Sequence, residues 1–222
     1  MATVFAPLLG NEKRSDRTMT TIDFTRWFLA LYFTSVASFY TVRIIVLARR
    51  YGESPVFSGQ PGTLHYATHL AFRVFRIVIL GVCVARIPWP QLDRYLIPFD
   101  QLWEPAILMT GNVLLATSFA MAVAIHMYMG KNWRSGTRND DRTELMTRGP
   151  FALSQNPMLL CVLVAQSGFF LTLPSGFTLV CWVVGIWAVT TQAKIETGLL
   201  RRRFGAAYDE YAEKTPRWLL FR

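Results

Sequence analysis

Four basic side chains recur along one apolar segment of this 222-residue sequence. They are His65, His69, Arg73 and Arg76. In a helix, with about 100° between successive residues, these positions fall within an arc of about 80° on one face. Charged side chains in an apolar helix usually face a protein interior or water, so this stripe is suited to binding an anionic headgroup. The alternative is that the apolar span begins near Phe72 and that the arginines reach from the interface to lipid phosphates.

A second group of residues suited to ligand binding lies in two polar segments nearer the C-terminus. The segment from residue 127 to 157 is long for a connection, and its glycines and prolines allow the backbone to approach a ligand closely. The tail after Thr191 carries Glu196 and a row of apolar side chains at helical spacing, namely Leu200, Phe204, Tyr208 and Tyr211. This spacing predicts a packed helix. Simple docking against the rest of the protein explains the two tyrosines equally well.

Five apolar blocks predict the elements that position these residues. The blocks are Phe24 to Leu47, Leu64 to Ala85, Pro105 to Ile125, Met158 to Leu173 and Phe177 to Thr191. A composition of 52% hydrophobic and 17% charged residues excludes a disordered chain and a simple soluble globule. We therefore expect an all-α polytopic membrane protein with about five transmembrane helices.

The predicted organisation also includes a helical hairpin, a C-terminal helix and a polar N-terminal tail. Pro174-Ser175-Gly176 separates spans 4 and 5 and predicts a tight helical hairpin, and the tail is predicted as a cytoplasmic C-terminal helix. We divide the chain into a polar N-terminal tail (1–23), transmembrane helices 1 and 2 with their loop (24–104), and a core with the long loop, the hairpin and the C-terminal helix (105–222). Met19 is a plausible second start site.

The net charge of +9 orients the predicted spans. Six lysines and arginines fall on the side of the N-terminus and fourteen on the side of the C-terminus. The positive-inside rule therefore predicts an outer N-terminus and a cytoplasmic C-terminus, as expected for a bacterial inner membrane. The basic residues lie between apolar blocks, which argues against a nucleic-acid partner. Cys83, Cys161 and Cys181 lie inside the blocks without metal-ligand spacing, so they are predicted core residues, and no metal site is expected.

Three motifs in the C-terminal half resemble a known family. The first is Gly130-x-x-Trp133, and the second runs from Leu145 through Gly149-Pro150-Phe151 to Gln155-Asn156-Pro157. The third is Glu196-x-x-x-Leu200-x-x-x-Phe204-Gly205-x-x-Tyr208-x-x-Tyr211, followed by Pro216-Arg217-Trp218. Together they resemble the signatures of integral-membrane methyltransferases, a group that includes isoprenylcysteine carboxyl methyltransferases and phospholipid methyltransferases.

The resemblance implies a cytoplasmic pocket for S-adenosylmethionine and a lipophilic or lipid acceptor that enters from the membrane. The implied cofactor-binding residues are Gly149, Pro150, Phe151, Gln155, Asn156, Pro157, Glu196, Tyr208 and Arg217. Glu196 is expected to pair with the cofactor's ammonium group, although a surface ion pair with Lys194 or the run Arg201 to Arg203 is the alternative. Arg217 or that run is expected to meet the cofactor's carboxylate, with lipid headgroups as the alternative partner of the run. Phe151 is expected to stack on adenine or to pack in the core.

The sequence departs from the family pattern at three places. Gln155-Asn156 replaces an arginine–histidine pair, Leu159 replaces a tyrosine, and Thr197 replaces a second glutamate. Because glutamine and asparagine take no proton near neutral pH, the motifs identify no catalytic base. The nearest candidate is His126, for which an interfacial histidine is the alternative. The departures argue against a prenylcysteine substrate and leave a carboxylate, a thiol or an amine as the acceptor.

Two other classes of protein remain compatible with parts of the sequence. Membrane sterol reductases, which use NADPH, share a similar asparagine–proline and tyrosine-rich pattern, here Asn156-Pro157 and the tail tyrosines. A non-catalytic scaffold or transporter would explain the arginines within the apolar blocks. The Gly130-x-x-Trp133 motif and Glu196 favour the methyltransferase.

Overall fold

The computed structural model describes residues 6–51, 56, 60–130, 133 and 144–219. Within these residues every regular element is a helix. The α-helices are α1 (Ala6–Tyr51), α2 (Leu64–Ala85), α3 (Pro105–Met129), α4 (Pro150–Leu153), α5 (Pro157–Thr172), α6 (Gly176–Phe204) and α7 (Ala206–Lys214). Two short 3-10 helices, Pro90–Leu96 and Asp100–Leu102, lie between α2 and α3. The predicted all-α class is confirmed.

Helices α3 and α5 form the closest pair because glycines face each other between them. A Cβ atom on Gly111 would lie 2.4 Å from the backbone nitrogen of Thr172. A Cβ atom on Gly168 would lie 3.0 Å from the carbonyl oxygen of Gly111. Small residues at such contacts let two helix backbones approach in an apolar environment, where packing replaces the hydrophobic effect as the driving force.

The main core lies where α1, α2, α3, α5 and α6 meet. Its buried side chains are Leu29, Tyr32, Cys83, Leu115, Phe169, Leu173 and Cys181. All three cysteines are free and buried. Their predicted place in the core is therefore confirmed.

A tight turn joins α5 to α6, as the proline, serine and glycine between them predict. The backbone N–H of Thr178 donates to the Ser175 hydroxyl at 3.3 Å, and this hydroxyl caps α6. The loop before α3 supports the turn, because the N–H of Gly176 donates to the Ile97 carbonyl at 2.8 Å. The hairpin turn is thus held by the N-cap of α6 and by a hydrogen bond to the loop before α3.

An ion cluster near the same end ties three elements together. The Asp93 carboxylate accepts from Arg26 of α1 at 2.8 Å and from Arg86, which follows α2, at 2.5 Å. Arg86 is 1% exposed. A guanidinium this buried requires its carboxylate partner, because an isolated charge loses its hydration without compensation.

The predicted helix boundaries are right for α2 and differ elsewhere. Helix α1 begins at Ala6, well before the predicted start at Phe24, so most of the predicted polar tail is helical; residues 1–5 lie outside the described residues. The predicted C-terminal helix is divided at Gly205, whose φ of +53° is unfavourable for residues with a Cβ atom. Helix α4 is a single turn that the sequence did not predict.

Three helices are long and apolar enough to cross a membrane, namely α1 from Met19 to Arg50, α3 and α6. Helix α5 is apolar but shorter, with 16 residues. These lengths are compatible with a polytopic membrane protein. The count of five spans stays a prediction.

We expect Asp93→Asn to destabilise the protein by about 3 kcal/mol, because it leaves the buried Arg86 guanidinium without a charged partner. Thermal unfolding of the purified protein in detergent measures this effect. Asp100→Asn is the matched control, since Asp100 is exposed in the neighbouring 3-10 helix. Equal melting temperatures for the two variants would show that the ion cluster does not support the fold.

Candidate functional site

The turn between α4 and α5 holds the C-terminal segment through its carbonyl oxygens. The Ser154 hydroxyl donates to the Arg217 carbonyl at 3.0 Å. The Gln155 backbone N–H donates to the Pro216 carbonyl at 3.0 Å, and the Asn156 amide lies 3.4 Å from the Arg217 carbonyl. Three consecutive residues thus fix the segment that follows α7, and we call this set of contacts the turn–tail clamp.

The Gln155 side chain extends the clamp to α6 and α7. Its Nε2 donates to the Thr215 carbonyl at 2.7 Å, and its Oε1 accepts from the Tyr208 hydroxyl at 3.2 Å. The same hydroxyl lies 3.4 Å from the Thr197 hydroxyl of α6. Because Thr197 follows Glu196 in the chain, the structure brings the two predicted ligand-binding segments together.

Gly149 is the N-cap residue that precedes α4, and its φ of +62° favours glycine. A Cβ atom at this position would lie 2.6 Å from the Tyr128 ring. The resemblance to membrane methyltransferases implies that this glycine allows close approach of a cofactor. The structure gives a second reason, because a tyrosine of the same chain already lies against its Cα.

Tyr211 attaches α7 to α4. Its hydroxyl donates to the Phe151 carbonyl at 2.7 Å, and its ring lies 6.0 Å from that of Tyr208. Burial raises the pKa of Tyr211 to about 12. The hydroxyl therefore stays protonated and donates this bond at neutral pH. The contact uses the backbone of Phe151, and the adenine-stacking role of its ring stays a prediction.

Glu196 immediately precedes Thr197, whose hydroxyl lies near that of Tyr208. It is partly buried, and its Oε1 accepts from the Gln192 amide at 2.9 Å. No ion pair joins it to Lys194 or to any other described residue, and Arg201 pairs with Asp209 at 2.7 Å instead. The carboxylate therefore retains acceptor capacity for a cationic ligand.

Arg217 contributes to the clamp through its carbonyl oxygen. That oxygen accepts from Ser154 and lies near the Asn156 amide. The predicted contact between its guanidinium and a cofactor carboxylate stays a prediction. Ser154 was not predicted as a site residue, yet its hydroxyl also accepts from the Asn156 backbone N–H at 3.1 Å. A serine before this asparagine–proline pair is the signal that could have identified it, because serine hydroxyls often bond to nearby backbone groups.

Arg43 of α1 caps the end of α3 that leads into the Gly130-x-x-Trp133 motif. Its Nη2 donates to the carbonyl oxygens of His126 at 3.0 Å and Gly130 at 2.8 Å. A cation at the C-terminus of a helix offsets its dipole and satisfies terminal carbonyls. Arg43, although it lies within an apolar block, therefore holds the C-terminal end of α3 against α1.

His126 lies inside a cluster of aromatic rings. The ring centroids of Trp133, Tyr40 and Phe39 lie 4.5, 5.0 and 5.2 Å from its imidazole. The side chain is 0% exposed, and neither ring nitrogen has a hydrogen-bond partner among the described residues. This enclosure favours a packing role over that of a catalytic base.

The residues of the predicted basic stripe on α2 differ in solvent exposure. His69 is buried, whereas Arg73 and Arg76 are exposed. The Nε of Arg76 donates to the Phe72 carbonyl of its own helix at 3.0 Å. The side chain of His65 lies outside the described residues. Exposed arginines are compatible with binding of an acceptor headgroup and equally with contact to lipid phosphates. The acceptor-binding role therefore stays a prediction.

Comparison with known proteins finds a family model and a relative that resemble parts of this chain. The phospholipid methyltransferase family model matches residues 106–207. The nickel-cobalt-cadmium resistance protein NccN of Alcaligenes xylosoxydans xylosoxydans is 27% identical over 156 residues, which cover 68% of this chain and 65% of that protein. No solved structure matches the chain significantly. The predicted resemblance to integral-membrane methyltransferases is therefore confirmed for residues 106–207, which include α4, α5 and α6 but end before Tyr208 and the tail. The match favours neither the reductase nor the scaffold.

We expect Gly149→Ala to destabilise the protein by about 2 kcal/mol, because it forces φ of +62° on a residue with a Cβ atom and directs that atom into the Tyr128 ring. Thermal unfolding measures the loss. Gly198→Ala in α6 is the control, since nothing lies within 4 Å of its Cβ position and alanine favours a helix by about 0.5 kcal/mol or more. A Gly149→Ala variant as stable as Gly198→Ala would contradict this geometry.

Proposed function

We propose that this membrane methyltransferase moves a methyl group from S-adenosylmethionine to a lipophilic acceptor. The contact of the Tyr208 hydroxyl with both Gln155 and Thr197 carries the proposal. It joins two motifs that are distant in sequence and lie within or next to the region that resembles phospholipid methyltransferases. We infer that the cofactor binds beside this contact, between α4, the end of α6 and α7.

The residues around the clamp are suited to the two ends of the cofactor. Glu196, which accepts a hydrogen bond from the neutral amide of Gln192, is suited to the ammonium group of the cofactor's amino-acid end. The backbone at Gly149 and Pro150 is suited to the nucleoside, with Phe151 available to stack on adenine. Asn156, Pro157 and Tyr208 hold the walls of this region in place, and Arg217 is suited to the carboxylate.

When bound near Glu196 and Gly149, the cofactor would supply a sulfonium methyl group for transfer to a lone pair of the acceptor, and the electron pair of the broken carbon–sulfur bond would stay on sulfur. The protein's contribution is then to orient the acceptor in line with that bond and to exclude water. The clamp serves this purpose because it fixes α7 and the tail against α4.

The protonation state of the acceptor follows from the residues near the site. A carboxylate or thiolate attacks without losing a proton during the step, whereas an amine must arrive neutral. His126 is enclosed by aromatic rings, and Gln155 and Asn156 take no proton near neutral pH. We therefore favour an acceptor that is already ionised, and we propose that Arg73 and Arg76 attract it on the way to the site.

We further propose that the chain crosses a bacterial inner membrane five times, with the N-terminus outside. Three long apolar helices and the apolar α5 support four of these crossings, and the 22-residue α2 is long enough for the fifth. The excess of basic residues on the side of the clamp supports a cytoplasmic cofactor site.

We expect S-adenosylhomocysteine, the demethylated cofactor, to raise the melting temperature of the protein and NADPH to leave it unchanged. A ligand at 100 times its dissociation constant adds about 2.7 kcal/mol of stability. Glu196→Gln keeps the shape of the side chain and removes its charge, so it should weaken this binding about tenfold or more. Glu213→Gln, an exposed change in α7, is the control and should bind normally.

Stabilisation by NADPH alone would assign the chain to the reductases, and stabilisation by neither ligand would favour a scaffold or transporter. Equal binding by the Glu196→Gln and Glu213→Gln variants would remove Glu196 from the cofactor site and leave the methyltransferase assignment in place.

A further inference from the structure

A half-open groove runs between α2, α5 and α6 in the apolar part of the protein. Its walls include Phe72, Phe75 and Ile79 of α2, Gln166 and Phe169 of α5, and Gly185 of α6. Its lining is almost entirely apolar. It lies between helices that the proposed function places in the bilayer, so its occupant has an apolar body.

Gln166 places an amide in this apolar wall. Its Oε1 is buried and accepts no hydrogen bond from any residue in the described part of the chain. The nearby Trp182 indole is not available to it, because Trp182 Nε1 donates to the Ser167 hydroxyl at 3.1 Å. A buried polar atom in an apolar environment is costly unless a donor reaches it.

Gly185 allows the amide to take this position. A Cβ atom on Gly185 would lie 2.1 Å from both the Oε1 and the Nε2 of Gln166. Any larger residue would push the amide out of its place, and the side chain is flexible enough to move. The glycine therefore controls where the polar atoms of the groove lie.

The groove lies on the same face of α6 as Glu196 of the candidate cofactor site. Gly185, Ala188, Gln192 and Glu196 fall within an arc of about 80° on one face of the helix. Gly185 and Ala188 line the groove, and the Gln192 amide donates to Glu196. With a rise of 1.5 Å per residue, the eleven steps along the helix from Gly185 to Glu196 span about 16 Å.

We propose that this groove holds the apolar chain of the methyl acceptor and that the Gln166 amide binds a hydroxyl or N–H group within that chain. The inference rests on the proposed function, because it takes the reacting end of the acceptor to lie near Glu196. The acceptor is then a long-chain amphiphile with two polar groups about 16 Å apart, one that receives the methyl group and one that Gln166 recognises.

A packing role for Gln166 is the competing explanation. Its oxygen lies close to the Gly185 Cα and could take part in a weak Cα–H···O contact between α5 and α6. Such a contact would stabilise the helix pair but would not distinguish one lipid from another. The test therefore compares two lipids that differ by one hydroxyl group.

The probes are 12-hydroxystearate, which carries a carboxylate and a mid-chain hydroxyl, and stearate, which lacks the hydroxyl. We expect the intact protein, titrated in detergent and followed by thermal shift, to bind the hydroxylated probe about fivefold more tightly, as one hydrogen bond of about 1 kcal/mol predicts. Gln166→Leu should reduce this ratio to about one. Gln101→Leu, an exposed change in the second 3-10 helix, should leave it unchanged.

Gly185→Ala provides a second variant if Gln166→Leu does not fold. It retains the amide but displaces it, so the ratio should fall here as well. Equal binding of the two probes by the intact protein, or an unchanged ratio in a folded Gln166→Leu or Gly185→Ala variant, would overturn the inference.

Binding of S-adenosylhomocysteine, measured in the same samples, separates this inference from the proposed function. Normal binding of that ligand without a hydroxyl preference overturns the groove assignment alone. A hydroxyl preference without that binding overturns the methyltransferase and leaves the groove as a lipid site.

Discussion

The turn–tail clamp is the interaction on which the candidate site depends. Ser154, Gln155 and Asn156 satisfy carbonyl oxygens of the segment from Thr215 to Arg217, which follows the last helix. These groups are partly or fully buried, and a buried carbonyl left without a donor would cost about 1–3 kcal/mol. Several such bonds together fix α7 against α4. Together with the hydrogen bond from the Tyr211 hydroxyl to the Phe151 carbonyl, they set the position of residues 149–157 relative to residues 208–217.

The departures from the family pattern acquire a physical meaning in this arrangement. Gln155 and Thr197, which replace charged residues of the family signature, both contact the hydroxyl of Tyr208. A neutral network thus stands where charged side chains are usual. Gln155 keeps donor and acceptor capacity, which is what the carbonyls of the tail and the tyrosine hydroxyl require.

Local signals in the sequence were sufficient for much of the fold. The limits of α2 and the hairpin between α5 and α6 follow from prolines, glycines and apolar runs, which act through nearby residues. Contacts between distant residues were not predictable in this way: Tyr128 against Gly149, Arg43 on the end of α3, and Gln166 against Gly185 join segments that a single sequence does not pair. The break at Gly205 was missed because the apolar spacing continues across it, although glycine permits the change in backbone direction.

Hydrogen–deuterium exchange, with and without S-adenosylhomocysteine, tests most directly whether the clamped segments form one binding site. Peptides from both 149–157 and 208–217 should become protected together on addition of the ligand, because each would contribute a wall of the same cavity. Protection of one segment alone, or exchange unchanged in both at saturating ligand, would contradict the account.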